Sequence, residues 1–270
     1  MQRIVFVSDL HCGSYGGLTP PEYQVHPDIA PGIAEGQGLA WNFYARAMEA
    51  LQPIDRLICN GDAIDGKGAR NSGKELFTSD RNAQAKIAIQ CLALAKAKDY
   101  AFTYGTGYHT GNGEDFELQV AAAFDAPIKS RLEFQVNGLG FDVGHHIGGS
   151  TIPHGRHTQT AKEHLWNTLW NVTHGLPKAD VHVFAHVHSH TFCGGSDSVG
   201  FPARPWLSLT LPALQWSSEY GSRRCQGTVD FGLVWFDVED DGTYQWHLAT
   251  EEILKPLTTV LDFTEGLNDD

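Results

Sequence analysis

The run Ile4-Val5-Phe6-Val7-Ser8-Asp9-Leu10-His11 holds four consecutive apolar residues and then changes abruptly to Ser, Asp and His. An unbroken apolar run suits a strand covered on both faces, as in a parallel sheet. Gln2 to Val7 therefore reads as such a strand, with the polar residues just past its end. The same phrase recurs: Arg56 to Cys59 leads into Asn60-Gly61-Asp62-Ala63-Ile64-Asp65, and Tyr100 to Tyr104 leads into Gly105-Thr106-Gly107-Tyr108-His109. Helical spacing fills the gaps. After a Gly- and Pro-rich loop from Gly13 to about Gly38, Leu39 to Leu51 places Trp41, Tyr44, Ala45, Met48 and Leu51 at helical intervals and stops before Pro53. Asp80 to Lys98 carries the stripe Ile87, Cys91, Leu94 and Ala95, with Ser79 as its expected cap. Glu114 to Phe124 is a helix with acids in its first turn, where they suit the macrodipole.

The second half changes character. Leu132 to Val136 and Leu139 to Val143 flank Asn137-Gly138, a strong hairpin signal. Val181 to Ala185, Trp206 to Thr210, Phe231 to Val238 and Thr243 to Ala249 read as further strands. A polar insertion between Gly148 and Asp180 holds one expected helix, about Thr160 to Val172. Its Leu165, Leu169 and Val172 form a stripe with Trp166 and Trp170 adjoining, for which core or lid packing is the expectation. The order βαβαβα followed by antiparallel strands predicts an α/β fold of two sheets packed face to face with helices outside. One domain over residues 1–270 accounts for the chain, with the insertion at about 148–180 and an acidic tail at about 251–270.

With 270 residues, 41% of them hydrophobic, the chain can bury a large core, which excludes disorder. Asp plus Glu number 32 against 19 Lys plus Arg, and the net charge of −13 makes duplex nucleic acid an unfavoured partner. Cys12, Cys59, Cys91, Cys193 and Cys225 are odd in number and contain no C-x-x-C pair, so neither a disulfide framework nor a thiolate zinc site is indicated. The expected location is the reducing cytoplasm. No leader of basic then apolar residues is visible and no apolar run approaches the roughly 18 residues of a membrane span, so no membrane partner is expected. Oligomeric state is not legible in these numbers.

The chemistry is concentrated where strands end. Asp9 and His11 follow the first strand, Asp62 the second and His109 the third; His145 and His146 end the hairpin, and His186, His188 and His190 follow Val181 to Ala185. Ligand sites in α/β sheets lie at the carboxyl ends of strands. Five such ends bearing Asp or His are hard to explain by packing. Two cations about 3.5–4 Å apart need an anionic bridge, which a carboxylate such as Asp62 can provide, and further O and N ligands from separate strand ends. Gly61 lets the backbone turn so that this carboxylate faces inward.

The series Asp9-x-His11, Gly61-Asp62-x-x-Asp65, Gly105 to His109, His145 and His186-x-His188 resembles the calcineurin-like metallophosphoesterase superfamily over Ile4 to His190. The resemblance implies a four-layer α/β/β/α sandwich of two mixed sheets and a dinuclear metal centre. Asp9, His11 and His188 would hold one metal, His145 and His186 the other, and Asp62 would bridge both. A bridging hydroxide would attack phosphorus, and His109 would protonate the leaving oxygen. One departure stands out. The family's Gly-Asn-His is here Gly105-Thr106-Gly107-Tyr108-His109, so Thr106, Tyr108, Asn112 or a water replaces the Asn ligand, or His109 becomes a ligand itself.

Other residues carry weaker expectations. His145 is preferred to His146 as the ligand because it follows the strand directly. His146 is then a contact of the substrate or of the ligands; Asp65 orients its own loop, His190 is polar surface and Cys12 a small packed side chain. Lys67, Arg70 and Arg81 could hold a substrate phosphate or form a solvated loop, and His154, Arg156 and His157 could reach over the site. The expected function is hydrolysis of a phosphate mono- or diester with two divalent ions, Mn, Fe, Zn or Co, suited to O and N donors. The alternatives are a catalytically weakened metal-binding scaffold of the same fold and a zinc amidohydrolase. The amidohydrolase is disfavoured by Asp-x-His at the first strand.

Overall fold

The computed structural model describes residues 1–68, 72–110, 115–150, 152–197, 204–217 and 229–253. Arg70, Asn112, Cys225 and the tail from 254 to 270 lie outside the described residues. Two mixed sheets form the centre. The first has six strands: β1 (Gln2–Val7), β2 (Arg56–Asn60), β3 (Asp99–Thr103) and β4 (Ile128–Lys129) run parallel, and the antiparallel pair β10 (Phe231–Val238) and β11 (Tyr244–Glu251) lies beside β1. The second has five: β5 (Arg131–Val136), β6 (Leu139–Gly144), β7 (Val181–Phe184), β9 (Arg204–Thr210) and β8 (Thr191–Asp197), in that spatial order. Within it β6, β7 and β9 are parallel.

The cores explain the layering. Ile4, Phe6, Ile58, Val234 and Phe236 of the first sheet face Phe141, Val143, Val181, Val183 and Leu209 of the second, with Phe6, Phe141 and Phe236 in mutual ring contact. The other face of the first sheet, including Val5, Val7, Leu57 and Cys59, packs on α1 (Pro31–Ala50), α2 (Arg81–Ala93) and α4 (Phe116–Ala122). This is why β1 reads as an unbroken apolar run: both its faces are covered. A short helix, α3 (Gly107–Thr110), follows β3, and α5 (Gly155–His174) covers the outer face of the second sheet. The result is a four-layer α/β/β/α sandwich. No helix among the described residues is long and apolar enough to cross a membrane.

Four expectations are corrected. Helix α1 begins at Pro31, not Leu39, although Gly32, Gly36 and Gly38 fall within it. Pro31 occupies its first turn, and a Cβ on Gly36 would stand 2.5 Å from the Trp216 ring, so that glycine serves close packing rather than a turn. The cap of α2 is Asp80, whose side chain accepts from Asn82 N, not Ser79. Strand β11 runs to Glu251 and Ile253 is buried, so the first residues assigned to the tail belong to the fold. Finally, α5 turns its apolar stripe outward: Leu165, Leu169 and Val172 are exposed, while Thr160, His164 and Asn167 are buried. The inner face of α5 is polar because the sheet beneath it is polar: His182 receives His164, and Ser208 donates to Thr160 O.

Candidate metal centre

Strands β1, β2 and β3 end at the same edge of the first sheet as β6 and β7 do in the second, and the loops continue the pairing: Asp9 N donates to Gly61 O, His11 N to Asp62 O and Ala185 N to His145 O. These strand ends bring Asp9, His11, Asp62, His109, His145, His186 and His188 together. Ligand atoms of Asp9, His11 and His188 lie within 4.8 Å of one another, as do those of Asp62, His145 and His186, and those of His11, Asp62 and His109. Asp62 and His11 each belong to two sets. Asp9, His11, Asp62, His145 and His188 are all buried, and His186 is half-buried.

The backbone is strained where these side chains turn inward. Asp9, His11, Asp62, His186 and His188 have φ of 50°, 46°, 50°, 71° and 50°. A non-glycine residue in this left-handed region costs about 1–3 kcal/mol and persists where the surroundings over-determine it, commonly at functional sites. Four other described non-glycine residues share this conformation, and they lie elsewhere in the chain. Gly61 (φ 76°) is itself irreplaceable, since a Cβ would stand 2.4 Å from His145 Nδ1.

The imidazoles are oriented from behind. His145 Nδ1 lies 2.7 Å from Asn60 O, and His109 Nδ1 lies 2.7 Å from Asp65 O. A carbonyl oxygen only accepts, so both Nδ1 atoms carry the proton. His11 Nδ1 is 2.8 Å from Asp65 Oδ1 and donates there in the same way. Each Nε2 is therefore turned toward the carboxylates: His145 Nε2 is 3.0 Å from Asp62 Oδ2, His11 Nε2 3.8 Å from Asp9 Oδ1 and His109 Nε2 3.9 Å from Asp62 Oδ2. Asp9 Oδ1, His11 Nε2 and His145 Nε2 are buried and form no hydrogen bond. A bare imidazole nitrogen facing a carboxylate oxygen is repulsive unless a proton or a cation lies between them. Nitrogen donors fixed through their far side and carboxylates of this kind fit divalent ions.

The electrostatics agree. Burial opposes ionisation of Asp62 and Asp9, yet His145 and His109 around the first, and His188 and His11 around the second, hold both carboxyls well below their usual range. Burial likewise works against charge on His145, but Asp62 and Asp9 raise it to about 10, and Asp65 and Asp9 raise His11. The pocket thus demands positive charge. Two imidazoles are exceptions: His186 is lowered to about 4 by burial and by the neighbouring His145, and burial lowers His109 despite Asp62.

Thr106, one of the four candidates for the missing Asn ligand, meets the centre: its N donates to Asp62 Oδ1 (2.7 Å) and its hydroxyl lies 2.7 Å from Asp62 Oδ2. The remaining residues fall as follows. His146 is exposed, its ring 4.5 Å from that of His186. Asp65 was expected to orient its own loop; its side chain instead orients His11 of the neighbouring loop, and its carbonyl orients His109. His190 is not polar surface: it is half-buried, its Nδ1 donates to Thr210 O and its N to Asp230. Cys12 is fully buried and burial pushes its thiol up, as suits a packed side chain. Lys67 is exposed, Arg81 stacks on Phe116, and His157 turns to Thr191 and Phe192 of β8.

Two residues escaped sequence reasoning. Asn60, at the end of β2, donates to Gly144 O, accepts from Thr103 Oγ1 and orients His145, thereby tying the two sheets together at the site. A polar residue closing an apolar strand was the available signal. Glu117 was expected only to favour the α4 dipole. It is buried instead, with Oε1 accepting from Ala63 N (3.2 Å) and Oε2 from Gly105 N (2.7 Å), so one carboxylate clamps the loops that carry Asp62 and Thr106. Burial and Asp62 push it up to about 7.

No protein-family model matches the chain, and no curated protein matches it. Solved metallophosphoesterases are among the structures it is similar to. A novel archaeal phosphodiesterase aligns over 92% of this chain and 100% of its own at 12% identity, with a TM-score of 0.43. A 5'-nucleotidase from Candida albicans aligns over 92% of this chain and 51% of its own at 14% identity and TM-score 0.41, and the zinc complex of Vps29 from Entamoeba histolytica over 92% and 99% at 11% and 0.39. These likenesses concern the fold alone, and nothing about substrate or activity follows from them.

Proposed function

We propose that this chain is a metal-dependent phosphoesterase. Asp9, His11 and His188 would hold one divalent ion and His145 and His186 a second, with Asp62 placed to serve both. The observation that carries this reading is the convergence of buried imidazole Nε2 atoms on two carboxylates, with five of the six ligating residues in left-handed backbone conformations. Bound divalent ions supply neutralisation of the phosphoryl oxygens and a lowered pKa for water.

The chain's own residues do the rest. Asp65 and Asn60 hold His11 and His145 in the tautomer that leaves Nε2 free for a ligand role. Thr106 pins both oxygens of Asp62 and stands in for the absent Asn. The bond from His109 Nδ1 to Asp65 O leaves Nε2 as the atom that can carry a proton to a leaving oxygen, with the ring buried enough for burial to lower its pKa despite Asp62. The substrate class is a phosphate mono- or diester, and the N and O donor set suits Mn, Fe, Zn or Co.

Elemental analysis and turnover on one preparation test the proposal. The protein is expected to carry up to two transition-metal ions, to hydrolyse an aryl phosphate mono- or diester and to lose that activity to chelators. Asp62→Asn is expected to lose both ions or nearly so, because a neutral amide cannot offset two cations. Full metal content in that variant refutes the shared-carboxylate assignment. Bound metal without turnover above an Asp9→Ala control, with Mn, Co, Zn and Ni each supplied, leaves the scaffold reading.

A further inference from the structure

Helix α5 is inside-out. Its exposed side carries Leu165 (66% exposed), Trp166 (42%), Leu169 (47%) and Val172 (78%), continued by Leu176 just past the Gly175 cap. Its orientation is not open to a simple roll. His164 bridges His182 (3.2 Å) and Asp197 (3.1 Å), His182 reaches Asp142 (3.1 Å), and Arg131 holds Asp142 through two contacts of 2.5 Å. The ring of His164 also lies flat on Trp206, with centroids 4.0 Å apart. Turning the apolar side inward would break this chain of bonds and bury Leu and Val against polar groups left without partners. The stripe is therefore held outward and needs its own cover.

We infer that α5 is a self-association surface that pairs antiparallel with α5 of a second copy of this chain about a two-fold axis through Leu169. Three observations select this occupant. The helical spacing Leu165, Leu169, Val172 is four then three, as in the seam by which one helix packs along another, and Leu176 extends the apolar surface just past the Gly175 cap. The seam is self-complementary: with Leu169 on Leu169, the Leu165 and Trp166 end of one helix meets Val172 of the other, as a two-fold interface requires. The third observation is charge. Copies of a chain with net charge −13 repel one another, yet α5 contains a single acid, Glu163, and that acid faces inward, 4.0 Å from Arg131. This face is where two such chains can meet without opposing carboxylates. The inference is independent of the metal centre.

Sedimentation velocity over a range of concentrations on the 270-residue chain tests it. The wild type is expected to shift from one chain to two as concentration rises. L169E and L169K, each folded by circular dichroism, are each expected to remain monomeric, since each places like charges face to face on the axis. Mixed one to one, they are expected to restore the dimer. A wild type monomeric at every soluble concentration overturns the proposal, as does a dimeric L169E. Two folded monomeric variants that fail to recover a dimer when mixed overturn the two-fold pairing. Sedimentation of the wild type with zwitterionic phospholipid vesicles, lost in L169E and without any dimer, would assign the stripe to a lipid surface and overturn it as well.

Discussion

Replacing Glu117 by Gln tests whether the loops of the metal centre are clamped by a buried carboxylate. In the metal-free protein Glu117 is pushed up to about 7, first by burial and then by the Asp62 charge. The unfolded chain ionises it near its ordinary value of 4.5. The folded state thus binds the proton more tightly. The stability this contributes is fully present below the unfolded pKa and is lost as pH rises through about 7. For a single group with these two values, linkage gives a loss of about 2 kcal/mol between about pH 5.5 and pH 8.5. Gln does not titrate. Its amide also turns a donor toward one of the two backbone N–H groups, which lowers stability at every pH by about 1–3 kcal/mol. Urea unfolding of the metal-stripped wild type and Glu117→Gln across that range should show the stability difference, wild type minus variant, falling by about 2 kcal/mol as pH rises. Metals bound at Asp62 should flatten the difference, because positive charge beside Asp62 favours the ionised form. Parallel profiles for the metal-free proteins refute the reasoning.

Two further outcomes follow from the geometry. His109→Ala should retain its metals, lose about 10²–10⁴-fold in rate on an alkyl phosphate ester and lose much less on a nitrophenyl ester, whose leaving group needs little protonation; equal losses on both together with a missing metal would instead make His109 a ligand. Gly105→Ala places a Cβ 2.0 Å from Asp62 Oδ1 and 2.3 Å from Asp62 N, so metal content and Tm should both fall, and a variant unchanged in both would show that the close approach is not required.

Much of the fold was legible because its signals are local. The apolar runs Ile4 to Val7 and Leu57 to Cys59 announce strands covered on both faces, and Asn137-Gly138 announces its hairpin. Strand β8 was not legible, since Cys193-Gly194-Gly195 offers no apolar alternation and its pairing with β9 is decided by the partner. The start of α1 was hidden by three glycines, of which Gly36 answers to Trp216, a residue 180 positions away.

The candidate site divides in the same way. By itself the sequence determined which side chains stand at strand ends, because strand termini are written in the change from apolar to polar, and a parallel sheet gathers such ends at one edge. It thereby placed Asp9, His11, Asp62, His109, His145, His186 and His188 as neighbours. Only the tertiary structure decided which nitrogen His11, His109 and His145 turn inward, that Asp65 serves His11, that Thr106 meets Asp62, and that Glu117 faces the loops rather than solvent. It alone decided that α5 shows Leu169 and Val172 to the outside. The physical reason is common to all of these. Periodicity tells which residues share a face, but the chemistry of the surface that the face meets is built from strands and loops distant in the chain, and that surface decides whether a polar or an apolar side is buried.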